Sequence, residues 1–125
     1  MILDTNALSA FFDDDRDLLA LLANTPEVHL PVIVLGEYRF GLRGSRQRRT
    51  LLPKLDALEA DSSVLDVDAS TARNYAEVRE ELRQVGTPIP ENDIWIAALA
   101  RQHALELVSR DAHFDCVRGV RRKVW

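Results

Sequence analysis

Short apolar runs alternate along the chain with longer segments in which apolar and polar residues repeat at helical spacing. The short runs predict strands at Met1–Asp4, Val28–Leu30, Ser63–Val67, Leu105–Val108 and Gly119–Val124. The longer segments predict helices at Thr5–Phe12, Arg16–Asn24, Val32–Arg43, Ser45–Ala60, Ala69–Val85 and Asn92–His103.

Strands that alternate with helices predict an α/β fold in which helices cover both faces of a parallel sheet. The length of 125 residues, with no low-complexity linker or break in composition, predicts one domain over residues 1–125. In such folds ligands bind outside the carboxyl ends of the strands, where the strand order reverses. Functional side chains are therefore expected in the segments that directly follow strands.

The composition indicates the class of protein and the cellular compartment to expect. It is 46% apolar and 29% charged, which is typical of a soluble globular domain. The single cysteine, Cys116, excludes an internal disulfide and a four-thiolate zinc site, and it fits a reducing compartment. No apolar run is long enough to span a bilayer, and the early Asp4 argues against a signal peptide. We therefore expect a cytoplasmic protein with no membrane partner.

Four carboxylates are candidates for chemistry. Asp4 ends one predicted strand and Asp111 follows another, positions where capping and turn formation are the usual roles of aspartate. Glu37 and Asp93 lie on helix faces that they share with apolar residues, so both point inward. Each acid alone fits a structural role. A structural role does not explain why two inward-facing carboxylates and two carboxylates at strand ends would come together. Convergence of this kind is unfavourable without a cation.

A pocket lined only by oxygen ligands selects a hard ion such as Mg²⁺ or Mn²⁺. These ions serve phosphoryl chemistry by holding phosphate oxygens, activating water as a nucleophile and stabilising the leaving oxygen. The histidines share no metal-ligand spacing, and we expect a helical or core role for His29, His103 and His113.

The chain resembles the PIN-domain ribonucleases, and specifically the VapC-type toxins of bacterial toxin–antitoxin pairs. Met1-Ile2-Leu3-Asp4-Thr5-Asn6 is similar to their opening motif, and Glu37 falls at their second acid. The segment Gly86–Ala100 resembles the third motif. Ser109-Arg110-Asp111-Ala112-His113-Phe114 resembles the fourth, with serine where threonine is more usual. The resemblance covers nearly the whole chain, in order and at matching spacing.

The resemblance implies a PIN fold, a three-layer α/β/α sandwich with a five-stranded parallel sheet and an acidic pocket for one or two Mg²⁺ or Mn²⁺ ions. The catalytic, metal-coordinating acids would be Asp4, Glu37, Asp93 and Asp111. Supporting residues would be Asn6, Ser109 and a further acid of the broader family, Asp115. Asp115 fits capping or exposure to solvent equally well.

The activity implied is that of a metal-dependent endoribonuclease, the toxin of a type II toxin–antitoxin pair, which hydrolyses RNA phosphodiester bonds and inhibits translation. The implied partners are a tRNA or rRNA substrate, a VapB-type antitoxin and a second copy of the chain in a homodimer.

Basic residues are concentrated in two stretches, residues 39–54 and 118–123, although the net charge of −4 argues against binding nucleic acid by net charge alone. Setting aside the four candidate acids leaves 16 acids against 16 bases. Arginine binds phosphate with two parallel hydrogen bonds. A solvated helix face and an RNA track both explain the group Arg39, Arg43, Arg46 and Arg48.

Two other protein classes with an acid after the first strand, one of enzymes and one of signalling domains, fit poorly. An aspartyl-nucleophile phosphatase needs a second acid two residues on, where Asn6 stands, and a receiver domain needs an acidic pair and a late strand-end lysine, which are absent. A PIN-type nuclease outside a toxin–antitoxin pair, including one that cleaves DNA, stays open. So does a catalytically silent PIN module that only binds RNA or protein, which a cleavage assay with a chelator distinguishes from a nuclease.

Overall fold

A computed structural model describes residues 1–125 and contains five short strands, six α-helices and one 3₁₀ helix. The strands are β1 (Ile2–Leu3), β2 (His29–Pro31), β3 (Ser63–Leu65), β4 (Leu107–Val108) and β5 (Arg122–Lys123). The α-helices are α1 (Thr5–Phe12), α2 (Arg16–Ala23), α3 (Val32–Arg43), α4 (Arg48–Asp61), α5 (Ala69–Gln84) and α6 (Glu91–His103). The 3₁₀ helix, Ala112–Cys116, lies between β4 and β5.

All five strands are parallel and form one sheet in the order β3-β2-β1-β4-β5. This confirms the predicted α/β fold with a five-stranded parallel sheet. The chain runs outward from β1 to β3 on one side and from β4 to β5 on the other, so the order reverses between β1 and β4. Leu3 pairs with Val108 across that junction. The residues that follow these two strands therefore lie side by side at the carboxyl end of the sheet.

The core is built around the central strands and α6. Ile2, Leu3, Leu107 and Val108 are fully buried, as expected for parallel strands that are covered on both faces. Six of the thirteen residues of α6 are buried, so this helix is fixed within the core. A helix held in this way gives its first turn a well-defined position above the sheet.

Most element bounds agree with the sequence-based prediction, and the differences occur at turns. Helices α1 and α3 have the predicted ends. Helix α4 begins at Arg48 instead of Ser45, because the Ser45 hydroxyl accepts a hydrogen bond from the Gln47 amide and closes a turn after α3. None of the helices combines the length and the apolar character that a membrane crossing requires.

Candidate active site

Asp4 lies directly after β1 and is only 5% exposed. Its Oδ1 accepts a hydrogen bond from the Thr5 amide at 2.7 Å, so the residue caps α1. Its Oδ2 accepts hydrogen bonds from Ser109 Oγ at 2.7 Å and from Asn6 Nδ2 at 2.9 Å. Three donors therefore fix the orientation of this buried carboxylate: two lie in the first turn of α1, and Ser109 follows β4.

A hydrogen-bond network closes the crevice between β1 and β4. Asn6 Nδ2 also donates to Ser109 Oγ at 3.1 Å, and Asn6 Oδ1 accepts from the Arg110 amide at 3.1 Å. The Asp111 amide donates to Ser109 Oγ at 3.0 Å. Asn6 and Ser109, both predicted as supporting residues, thus connect Asp4 with the segment that carries Asp111.

Glu37 reaches the same region from α3. The Thr5 hydroxyl donates to Glu37 Oε2 at 3.0 Å, which places this carboxylate beside the start of α1. The other oxygen, Oε1, is buried and has no hydrogen-bond partner. A buried carboxylate oxygen without a partner is costly, so Oε1 is available to a cation.

Asp93 and Asp111 come together beside this hydrogen-bond network, with one carboxylate oxygen of each within 4.8 Å of the other. Asp93 lies in the first turn of α6 with its side chain 16% exposed. Asp111 follows β4 and caps the 3₁₀ helix, where Oδ1 accepts a hydrogen bond from the His113 amide at 2.9 Å. The imidazole Nδ1 of His113 lies 3.0 Å from Asp111 Oδ1 and 3.5 Å from Asp93 Oδ2.

The pKa values show that these carboxylates interact in one pocket. Burial raises the pKa of Asp4, and the Glu37 and Asp111 carboxylates raise it further against the opposing hydrogen bonds from Ser109 and Thr5. Burial, followed by the charges of Asp4 and Asp111, raises the pKa of Asp93 from 3.8 to about 6. Like charges gathered in a region of low dielectric have this effect. The group is called the acid pocket below: Asp4, Glu37, Asp93 and Asp111.

The acid pocket fits a hard divalent cation. It offers carboxylate oxygens from four elements, one of them buried and unpartnered, and two of its acids have a raised pKa. A divalent ion would remove the repulsion among the carboxylates and satisfy the unpartnered oxygen of Glu37. Asp4, Glu37, Asp93 and Asp111 are therefore the residues that could hold it.

Asp115 lies outside the acid pocket. Arg122 Nε and Nη2 donate to its two carboxylate oxygens at 2.7 and 2.6 Å, and this pairing lowers the pKa of Asp115. Arg122 Nη1 also donates to the Ser109 carbonyl at 3.1 Å. Asp115 thus orients an arginine that holds the backbone of Ser109.

His113 is the site residue that the sequence analysis did not identify. Of the helical or core role expected for it, only the core role is wrong: His113 lies in the 3₁₀ helix, but its side chain is 53% exposed and contacts Asp93 and Asp111. The available signal was its position two residues after Asp111. Spacing among the histidines did not reveal this position, because the neighbours of His113 are carboxylates: Asp111 just before it and Asp93 from α6.

The arginines of the predicted RNA track differ in their surroundings. Arg39 forms ion pairs with Asp56 and Glu59 on α4, so its guanidinium is already occupied. The other three are exposed and form no ion pair: Arg43, Arg46 and Arg48. A groove of about 320 Å³ lined by Thr5 and Glu37 continues along α3 to Ser45 and Gln47, which precede and follow Arg46 in the chain. Arg43 and Arg48 line a separate cavity together with Arg39.

Comparison with known proteins identifies similar sequences and folds. The profile of the PIN domain matches residues 1–120. Ribonuclease VapC5 of Mycobacterium tuberculosis is 34% identical over 90 residues, which are 70% of this chain and 67% of that protein. A tRNA(fMet)-specific endonuclease VapC of Shigella flexneri is 28% identical over 82% of this chain and 78% of its own length.

A solved structure shows the same fold with a partner. The crystal structure of VapBC2 from Rickettsia felis, bound to a DNA fragment from its promoter, contains a chain that superposes with a TM-score of 0.87 at 28% identity. The match covers 99% of this chain and 97% of that one.

Proposed function

Because this chain belongs to the PIN-domain family and, within it, to the VapC ribonucleases, we propose that the acid pocket is its active site and holds Mg²⁺ or Mn²⁺. The chain is therefore a metal-dependent ribonuclease of the kind found in VapBC toxin–antitoxin systems. The observation that carries the proposal is the convergence of four carboxylates at the point where the strand order reverses. Oxygen ligands favour these two hard ions over softer ones.

The protein residues prepare the pocket for a phosphodiester. When bound, the divalent ion supplies positive charge for the phosphate oxygens and lowers the pKa of a water. Ser109 and Asn6 hold the Asp4 carboxylate in one orientation, and Thr5 holds one oxygen of Glu37 and leaves the other available. A pocket fixed before the substrate arrives loses little free energy to reorganisation during the reaction.

We propose that RNA approaches the acid pocket along the groove beside α3. Arg46 lies between the groove residues Ser45 and Gln47, and the exposed Arg43 and Arg48 line a separate cavity beside α3; all three are free to bind phosphates. Their positive charge offsets the repulsion of RNA by the pocket carboxylates. A structured RNA, tRNA or rRNA, is the proposed substrate, and the tRNA specificity named for the Shigella relative supports this choice.

The toxin role adds a protein partner. VapBC complexes among the solved structures support a VapB-type antitoxin as the partner that neutralises this chain. Inhibition of translation follows if tRNA or rRNA is cut, and the cytoplasm is where we expect the enzyme to meet that RNA. A homodimer remains a prediction, which the molar mass in solution tests.

The decisive experiment incubates the protein with total RNA and Mn²⁺ and maps the cut sites by sequencing the fragment ends. Asp4→Asn should abolish cleavage and retain the fold, whereas the exposed loop variant Asp66→Asn should cleave like wild type. A chelator should stop the reaction, and single-stranded DNA of the mapped sequence should stay intact. Cleavage by Asp4→Asn at the wild-type rate would refute the proposed active site.

Salt dependence tests the RNA path separately. Cleavage at subsaturating RNA should fall steeply between about 50 and 200 mM salt, because phosphate contacts release counterions. Replacing Arg46 and Arg48 with alanine should raise KM and flatten the salt dependence by about one contact each, with little change in kcat. A salt response that is unchanged in the double variant would place the RNA elsewhere.

A further inference from the structure

One imidazole nitrogen lies beside the oxygens of the acid pocket. His113, Asp93 and Asp111 each offer one atom that could bind a metal ion, and these three atoms lie within 4.8 Å of one another. The imidazole Nδ1 faces both carboxylates, at 3.0 and 3.5 Å. Two adjacent ligands of an octahedral ion, each about 2.1 Å from the metal, lie about 3 Å apart. The spacing of these atoms is therefore compatible with binding to one ion.

The backbone holds the imidazole at this position. The His113 amide donates to Asp111 Oδ1 at 2.9 Å, and the next residue, Phe114, is fully buried in the core. His113 is thus fixed between a capping hydrogen bond and a buried aromatic anchor. The ring itself is 53% exposed at the edge of the pocket.

We propose that His113 coordinates the metal ion of the acid pocket through its imidazole, together with Asp93 and Asp111. This inference rests on the proposed function, because it concerns the same ion. It changes the site from all-oxygen to mixed oxygen and nitrogen. Imidazole favours transition-metal ions over Mg²⁺, so His113 shifts the metal preference towards Mn²⁺ and ions later in the series.

The test uses Mn²⁺ alone as the probe, with the full chain and no RNA. Pulsed electron paramagnetic resonance of bound Mn²⁺ should show coupling to a ¹⁴N nucleus in wild type and none in His113→Ala. His103→Ala is the matched control, since it removes an exposed histidine at the other end of α6, and it should keep the coupling. Circular dichroism checks that each variant is folded.

Calorimetry adds a second readout. His113→Ala should raise the Kd for Mn²⁺ about tenfold or more. Loss of a residue that only hydrogen-bonds a metal ligand already weakens metal binding by that factor, so loss of a direct ligand should weaken it at least as much. The Kd for Mg²⁺ should change less than about threefold. An equal increase in Kd for Mn²⁺ and for Mg²⁺ would overturn the proposed preference for Mn²⁺.

The outcomes separate the inference from the proposed function. Mn²⁺ that binds wild type without ¹⁴N coupling, and with a Kd that His113→Ala leaves unchanged, would overturn only the role of His113. In that case the imidazole is merely a hydrogen-bond donor to the two carboxylates. Failure of wild type to bind Mn²⁺ at all would overturn both the metal site and the inference.

Discussion

Asp93→Asn should stabilise the metal-free protein at neutral pH while it abolishes cleavage. Burial and the neighbouring carboxylates raise the pKa of Asp93 from 3.8 to about 6 in the folded state. Between pH 4 and 6 the folded protein therefore binds a proton that the unfolded chain releases, and its stability falls as the pH rises. The neutral amide of asparagine avoids this cost.

The size of the destabilisation follows from the difference of about two between the pKa of Asp93 in the folded protein and its ordinary value. At about 1.4 kcal/mol per unit, ionised Asp93 costs up to roughly 3 kcal/mol at pH 7. The side chain is still 16% exposed, so solvent screens part of this cost, and the dipole of α6 favours the charge by about 0.3–1 kcal/mol. We expect a net gain of about 1–2 kcal/mol for Asp93→Asn at pH 7–8, and no gain below about pH 4.

Urea unfolding with excess chelator, repeated from pH 4 to pH 8, measures this difference. Glu91→Gln is the control, because it removes a carboxylate from the same helix turn outside the pocket and should not stabilise the protein. If Asp93→Asn is less stable than wild type at pH 8, the charge of Asp93 does not destabilise the protein. The same conclusion follows if the difference in stability between the two proteins does not shrink as the pH falls from 6 to 4.

Three further predictions concern the surroundings of the acid pocket. Ser109→Ala should lower the free energy of unfolding by about 1–3 kcal/mol and reduce kcat, because Asp4 loses a buried donor; circular dichroism melts and cleavage rates measure the two effects. Arg122→Ala should lower the free energy of unfolding by about 1–3 kcal/mol, because it breaks a bidentate ion pair with Asp115 and removes the hydrogen bond to the Ser109 carbonyl. In the same urea titration, the control Arg121→Ala, at an exposed position, should change it by less than about 0.5 kcal/mol. Mg²⁺ at about 100 times its Kd should stabilise wild type by about 2.7 kcal/mol and raise its melting temperature, which a chelator reverses; an unchanged melting temperature would contradict metal binding.

The sequence predicted the sheet and the positions of the acids because both depend on local patterns. Short apolar runs followed by Asp4 and by Ser109 mark the two central strands. The inward direction of Glu37 follows from its apolar neighbours on α3.

Contacts between distant segments could not be predicted from the sequence. The pairing of Arg39 with α4 and of Asp115 with Arg122 depends on how helices and turns pack. The same holds for His113, which reaches Asp93 only because the 3₁₀ helix lies beside the first turn of α6. The spacing of apolar residues along one segment does not predict how that segment packs against another. The five-residue 3₁₀ helix is also too short to show a hydrophobic period.

The acid pocket draws its four carboxylates from positions 4, 37, 93 and 111, so it is assembled by contacts between residues far apart in sequence. Such contacts require that the loops between them close, which costs conformational entropy. A nascent chain that has emerged only as far as α5 has half of the carboxylates and no β4 to set beside β1. Synthesis of this nuclease is thereby separated in time from its activity, and the ribosome that makes it faces an inert polypeptide.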